Sequence, residues 1–193
     1  MRLLVPPQVH QWTRDEYYKM AEAGLFERKH VELIEGRVIE MSPTGSPHRT
    51  SVVLAGDALR SVFSGMHAFV QTQSPIDLGD LSEPEPDIAV IRGDARDYSQ
   101  AHPRSALLIV EVSESSLDYD RTEKASLYAA AGIPDYWVLN LGDRRLEVRR
   151  DPVPDETQLY GFRYRSVTIL NAGDFVSPLA ASEASIAIVD LLP

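Results

Sequence analysis

The sequence contains no cysteine. Disulfide scaffolds, thiolate zinc sites and cysteine nucleophiles are therefore excluded. Basic residues are scarce: 19 Lys and Arg stand against 29 Asp and Glu, a net charge of −10. A broad basic face that neutralises nucleic-acid phosphates is disfavoured by that balance, although an acidic centre built around a metal ion is not. No apolar run approaches the ~18 to 20 residues needed to cross a bilayer. The opening MRLLVPPQVHQW is a short apolar patch broken by two prolines, which does not read as a secretory leader. A cytoplasmic protein is the expectation. Also missing are the GxSxG elbow, the P-loop, the GxGxxG fingerprint and HExxH, so esterase, P-loop NTPase, dinucleotide-dehydrogenase and zincin chemistry lose their main support.

With 193 residues, 44% of them hydrophobic and no internal repeat, residues 1–193 read as one domain. Thr13 and Glu16 form a capping-box pattern that opens a helix, with Gly24 as its stop. VELIEGRVIE reads as a hairpin turning at Glu35-Gly36. Ser46-Pro47 starts a second helix to about Phe63, with Val52, Val53, Ala55, Leu59 and Val62 as its apolar face. HAFVQTQ, SPIDL, DIAVIR and ALLIVEVS are candidate strands. In the last, Leu107 to Val110 is a continuous apolar run of the kind covered on both faces, and Glu111 follows as its charged end. A helix is expected from about Asp120 to Ala131, then the buried strand DYWVLN. RLEVRRD and LYGFRYRSVTIL read as antiparallel strands, with turns at Gly142-Asp143 and 151–157. The order predicts a mixed α/β fold with a central sheet flanked by helices.

The chemistry left in the chain is acidic. Asp87 follows Pro86 at the start of IAVI, Glu111 ends LLIV, Lys124 lies in the next helix and Glu32 opens the hairpin. If DIAVI and LLIVE are neighbouring strands, Asp87 and Glu111 meet at one sheet edge. Two carboxylates about 4 Å apart repel by roughly 4 kcal/mol at an effective dielectric of 20, so the pair needs a cation or a shared proton. Hard oxygen donors suit Mg²⁺ or Mn²⁺, and a nearby ammonium can orient water or offset phosphate charge. Each residue has a plainer reading beside this one: a strand start, a solvent-facing strand end, an ordinary surface lysine.

The strings VELIEGRVIEMSP, EPEPDIAV, IVEVSESS and D-x₃-K-x₃-Y-x₃-GIPDYW, in that order, resemble the Uma2 family, assigned as endonucleases within the PD-(D/E)XK restriction-endonuclease-like superfamily. The likeness runs from about Thr13 to Pro178. It implies a restriction-endonuclease-like mixed central sheet, here with an additional N-terminal helix-hairpin and C-terminal antiparallel strands. It also implies a divalent-metal nuclease site using Mg²⁺ or Mn²⁺. Asp87 matches the PD aspartate and Glu111 the acid of the second half-motif, both as metal ligands. The lysine expected two residues later is replaced by Ser113, and the resemblance supplies it instead as Lys124. Glu32 matches an early glutamate that acts through water, while His48 and Gln73 are candidate substrate-lining residues. For His48, a structural role at the helix start is an equal alternative. Tyr128 and Trp137 read as packing residues, and His10, His30, His67 and His102 carry no ligand spacing. Ser113, Ser115 and Ser116 lack a base partner.

The implied substrate is nucleic acid, with DNA the expected form, and the implied assembly is a homodimer, with the apolar edges of RLEVRRD and FRYRSVTIL as candidate contacts. Arg49, Arg60, Arg121 and Lys124 are candidates for a basic rim. Two rival functions stand beside endonuclease. One is a catalytically silent binding or regulatory protein on the nuclease fold, favoured by the negative charge and Ser113. The other is a hydrolase of a non-nucleic-acid phosphoester, which suits an acidic protein.

Overall fold

The computed structural model describes residues 7–193. Residues 1–6, the first half of the segment read as no secretory leader, lie outside the described residues. Helix α1 (Arg14–Glu22) begins with the expected capping box. The Thr13 hydroxyl accepts from the Glu16 backbone N–H, and the Glu16 carboxylate accepts from the Thr13 N–H, which satisfies two otherwise unpartnered donors. Strands β1 (Val31–Ile34) and β2 (Arg37–Glu40) form the expected hairpin. Its two-residue turn needs positive φ twice, and Glu35 (47°) and Gly36 (70°) provide it. The loop after residue 79 straps this hairpin: the Gly36 N–H donates to the Leu81 carbonyl and the Glu83 N–H to the Leu33 carbonyl. Trp12 is tied to the same turn through its N–H, which donates to the Gly36 carbonyl.

Helix α2 (Ser46–Val62) follows, with proline in its first turn. Beyond it lie β3 (Ala68–Thr72), β4 (Ile88–Arg92), β5 (Leu108–Ser113), β6 (Asp135–Asn140), β7 (Arg145–Pro154) and β8 (Phe162–Asn171). These six make one sheet in chain order. Only β5 and β6 run parallel; the other neighbours are antiparallel. The parallel step requires a crossover, supplied by α3 (Leu117–Tyr119), a π turn (Asp120–Lys124) and α4 (Ala125–Ala130). A small pair, β9 (Phe175–Val176) and β10 (Ile186–Ala187), closes the chain.

Alternation along the central strands makes two cores. Ile88, Val90, Leu108, Val110, Val112 and Trp137 face α2 and the C-terminal segment. Ala89, Ile91, Ile109, Tyr136 and Val138 face α4, packing with Tyr128 and Tyr164. The first side is mainly apolar, with a buried Asp135 that accepts from the Trp137 indole N–H. The second carries Asp87, Glu111 and Lys124, which His48 joins from α2.

Five expectations change. SPIDL is not a strand: Ile76 is buried in a loop whose N–H donates to the Pro84 carbonyl, outside any ladder. Val53 is 58% exposed, whereas Val52, Ala55 and Leu59 are buried, so the apolar stripe of α2 is narrower than expected. The crossover helix starts three residues early, at Leu117. Residues 151–154 belong to β7 despite their prolines, since they pair with β8 at the sheet margin. Finally, β7 is flanked on both sides, so only β8 of the two candidate contact strands has a free edge.

Candidate active site

The register of β4 and β5 brings the two acids together. Ile88 pairs with Val110 and Ala89 with Ile109, so one step back Asp87 falls opposite Glu111. Both belong to the face of Ala89 and Ile109, beneath the crossover. The Asp87 N–H donates to Glu111 Oε2 at 3.2 Å, and the Val112 N–H donates to Asp87 Oδ2 at 2.9 Å. Glu111 is not the solvent-facing strand end of the plainer reading, nor is it the last residue of its strand. The strand continues to Ser113, and Glu111 is 5% exposed.

Lys124 meets Glu111 from the crossover. Its ammonium lies 2.7 Å from Glu32 Oε2 and 3.2 Å from Glu111 Oε1, and all three side chains are buried. Thus a residue from β1, one from β5 and one from the π turn share a single buried charge cluster. π turns interrupt helices most often at functional sites. Here the Asp120 carbonyl within the turn takes an outside donor, the Tyr136 hydroxyl, at 2.9 Å. Both charged side chains that the turn buries, Asp120 and Lys124, face this site.

His48, in the first turn of α2, places Nε2 3.0 Å from Asp87 Oδ2. Burial opposes a charged imidazole, but the bond and charge of Asp87, with Glu114 and Asp120 beyond, outweigh it and raise the His48 pKa. The Gln73 N–H donates to the Asp87 carbonyl at 3.1 Å, and its side chain lines the same cleft.

Two groups escaped the sequence reading. Tyr128 is packing, as expected, but its buried hydroxyl also donates to Glu111 Oε1 at 2.7 Å. Asp120 accepts from the Ser113 and Ser116 hydroxyls, each at 2.6 Å. Both serines, which follow Glu111 in the chain, thus donate to a carboxylate. Nothing in the spacing marked either contact, because both depend on where the π turn sits. Burial pushes the Asp120 pKa up against those two hydrogen bonds. For Glu111, burial is the largest influence, with Asp87, Asp120 and Glu32 adding to it and Lys124 opposing. The result is a carboxyl pushed up to about 8. Lys124 remains cationic: burial penalises its charge, but Glu111 and Glu32 more than compensate and raise its pKa.

These groups open onto a cleft of about 240 Å³. Glu32, Asp87, Glu111, His48 and Gln73 all line it; Lys124 does not, being sealed behind the carboxylates. His30, assigned no function above, reaches the rim and lies 3.1 Å from Glu85. Among the described residues no Lys or Arg lines the cleft. The expected basic rim does not form: Arg60 pairs with Asp57 on the surface and Arg121 with Glu147, and Arg49 is exposed without lining the cleft.

Among the described residues no three His, Cys, Asp or Glu side chains form a ready metal cage. Two hard carboxylates suit the other kind of site, in which Mg²⁺ keeps most of its waters. Two residues of the cleft lining carry a buried polar atom, His48 Nδ1 and the Tyr119 hydroxyl oxygen, with no partner among the described residues. The walls therefore carry polar capacity that the chain itself does not use, and the donor set fits a hydrated divalent ion.

Sheet order, crossover and cleft together define a mixed α/β protein with a six-stranded mixed sheet and an acidic cleft. A crystal structure from Anabaena variabilis ATCC 29413, described as a "putative nuclease belonging to DUF820", is similar with a TM-score of 0.70, covering 93% of this chain and 96% of that one. At 18% identity the likeness is one of fold. The sequence also matches the family model Uma2, "Putative restriction endonuclease", over residues 14–188, and the chain belongs to the Uma2 family. No curated protein matches it.

Proposed function

We propose that the protein is a divalent-metal-dependent endonuclease that hydrolyses phosphodiester bonds of nucleic acid, DNA before RNA. The observation that carries this reading is the opposition of Asp87 and Glu111 on adjacent strands at the floor of a cleft. These two residues would hold Mg²⁺ or Mn²⁺, which when bound lowers the pKa of a water and offsets charge on the phosphate. The chain's own part is to hold the carboxylates ready. The Val112 N–H and His48 both engage Asp87 Oδ2, which fixes the carboxylate plane. Lys124 and Tyr128 engage Glu111 Oε1, leaving Oε2 to the Asp87 N–H and the cleft side. In this arrangement Lys124 supports the anionic form of Glu111, and Glu32 balances Lys124. His48 and Gln73, on opposite flanks of Asp87, are the groups nearest to an incoming phosphate. A cytoplasmic site of action and a homodimer joined at β8 go with this reading.

The test is cleavage of DNA and RNA substrates with Mg²⁺ or Mn²⁺. Asp87→Asn and Glu111→Gln are each expected to lower the rate by at least about a hundredfold while the circular dichroism spectrum persists. Metal-stimulated cleavage at wild-type rate in both variants overturns the assignment.

That no Lys or Arg among the described residues lines the cleft favours a second reading, hydrolysis of a small non-nucleic-acid phosphoester. A long polyanion gains affinity from many cationic contacts, whereas a small ester needs only the metal. Turnover of a small-phosphoester panel with inert nucleic acids selects this reading. Inertness towards both, with no Mg²⁺ or Mn²⁺ binding by calorimetry, marks a silent binding protein.

A further inference from the structure

Arg121 does not rim the acidic cleft because it faces a different cavity. Cross-strand partners share a face of the sheet. Glu111 pairs with Val138, and Val138 with Glu147, so Glu111 and Glu147 lie in one row two strands apart, or about 10 Å. The crossover runs between them. Lys124 reaches Glu111 on one side, and Arg121 forms a two-pronged ion pair with Glu147 on the other. Beyond Arg121 a second cavity, about 200 Å³, opens between the crossover and β7–β8.

We propose that this second cavity is an oxyanion site that takes a phosphate group. Three guanidiniums line it, from Arg121, Arg149 and Arg163. Two carboxylates face them: Glu147 is shared by Arg121 and Arg149, and Asp155 lies 3.0 Å from Arg163. One positive charge is left over, in a chain whose net charge is −10. Arg149 is the central residue. Its side chain is 14% exposed, its Nη2 donates to Glu147 Oε2 at 2.9 Å, and its Nε–H is buried with no acceptor among the described residues. A buried donor of a charged group left unpaired is costly, so the Arg149 guanidinium has hydrogen-bonding capacity that Glu147 alone does not use. The planar guanidinium presents its donors in the fork that phosphate accepts in pairs. Arg163, about half exposed and paired with Asp155, lines the cavity, and Gln158 adds a neutral polar wall. Phe162 and Tyr164 floor the cavity with aromatic surface, which suits a base or sugar attached to the phosphate.

The phosphate has two possible sources, a free nucleotide or the backbone of a nucleic acid. The test follows the arginine Nε–H resonances of the full-length ¹⁵N-labelled protein. Inorganic phosphate, a nucleoside 5′-monophosphate and a short single-stranded oligonucleotide are added separately at constant ionic strength. Saturable displacement of the Arg149 resonance by phosphate is expected, and Arg163→Gln, at a half-exposed position that leaves folding intact, should weaken it about tenfold. Arg149→Gln should abolish the remaining phosphate response, followed through the Arg121 resonance. Tighter binding of the mononucleotide than of either other probe names a nucleotide site; tighter binding of the oligonucleotide names a backbone contact. Asp87→Asn retains the response, so failure of the endonuclease reading leaves this one intact. No saturable response, or one that both arginine variants preserve, overturns it.

Discussion

Lys124 is the residue on which the buried charges depend. Removing one partner of a buried ion cluster strands the others, at a cost of about 3–5 kcal/mol. Lys124→Met keeps the bulk but leaves Glu32 without its counter-charge and removes the cation that opposes protonation of Glu111, so urea denaturation should show a loss of that size. Adding Glu32→Gln should recover part of it, giving a non-additive cycle. Glu111 sets the pH response. Its carboxyl is pushed from 4.5 to about 8, so between those values the folded chain holds a proton that the unfolded chain releases. That contribution to stability is complete below pH 4.5 and is lost as pH rises through about 8. In chelator, therefore, stability measured across this window should fall with rising pH, and Glu111→Gln should flatten the trend. At this scale the sequence singled out residues that lie together but did not show which hydroxyls hold them. Six residues were singled out, and five line one cleft with the sixth directly behind it. The hydroxyls of Tyr128, Ser113 and Ser116 were not legible, because a hydroxyl acquires a role only from the carboxylate placed beside it.

At the scale of elements, legibility followed local chemistry. The capping box of α1 and the Glu35-Gly36 turn were readable because each depends on residues within a few positions of one another. The π turn was not, since widening a helix by one residue leaves periodicity nearly unchanged while redirecting Asp120 and Lys124. SPIDL failed for the opposite reason. Its apolar alternation is real and Ile76 is buried, but its N–H groups pair with the loop at 80–86 and with Pro103 rather than with a strand. The hairpin turn provides a test. Gly36 has φ +70°, and a Cβ there would stand 2.5 Å from Gln11 Cβ. Gly161 has φ +74° and open space. Gly36→Ala should thus cost about 2 kcal/mol or more, from backbone strain plus overlap, and Gly161→Ala about 1 kcal/mol from strain alone. Comparison of the two melting temperatures checks the difference. Because β1 carries Glu32, the Gly36 variant should also loosen the Lys124 cluster.

For the molecule as a whole, the sheet order was only partly open to the sequence. The neighbouring of DIAVI and LLIVE was a supposition that the β4–β5 register bears out, but which strand would lie at the margin was not readable. The free edge of β8 carries Val167 and Ile169, 48% and 52% exposed, a surface that invites strand pairing. If β8 joins two copies, Val167→Lys with Ile169→Lys should shift sedimentation from dimer to monomer without altering the far-ultraviolet spectrum. A wild-type protein already monomeric at micromolar concentration removes the β8 dimer. The two tryptophans occupy unequal stations. Trp137 is 1% exposed in the apolar core on the side away from the cleft, and Trp12 is 38% exposed and anchored to the hairpin turn. Fluorescence therefore comes from one emitter shielded from aqueous quenchers and one open to them. Iodide should extinguish the Trp12 signal selectively, so that an opening of the hairpin can be followed by light while the interior signal stays constant.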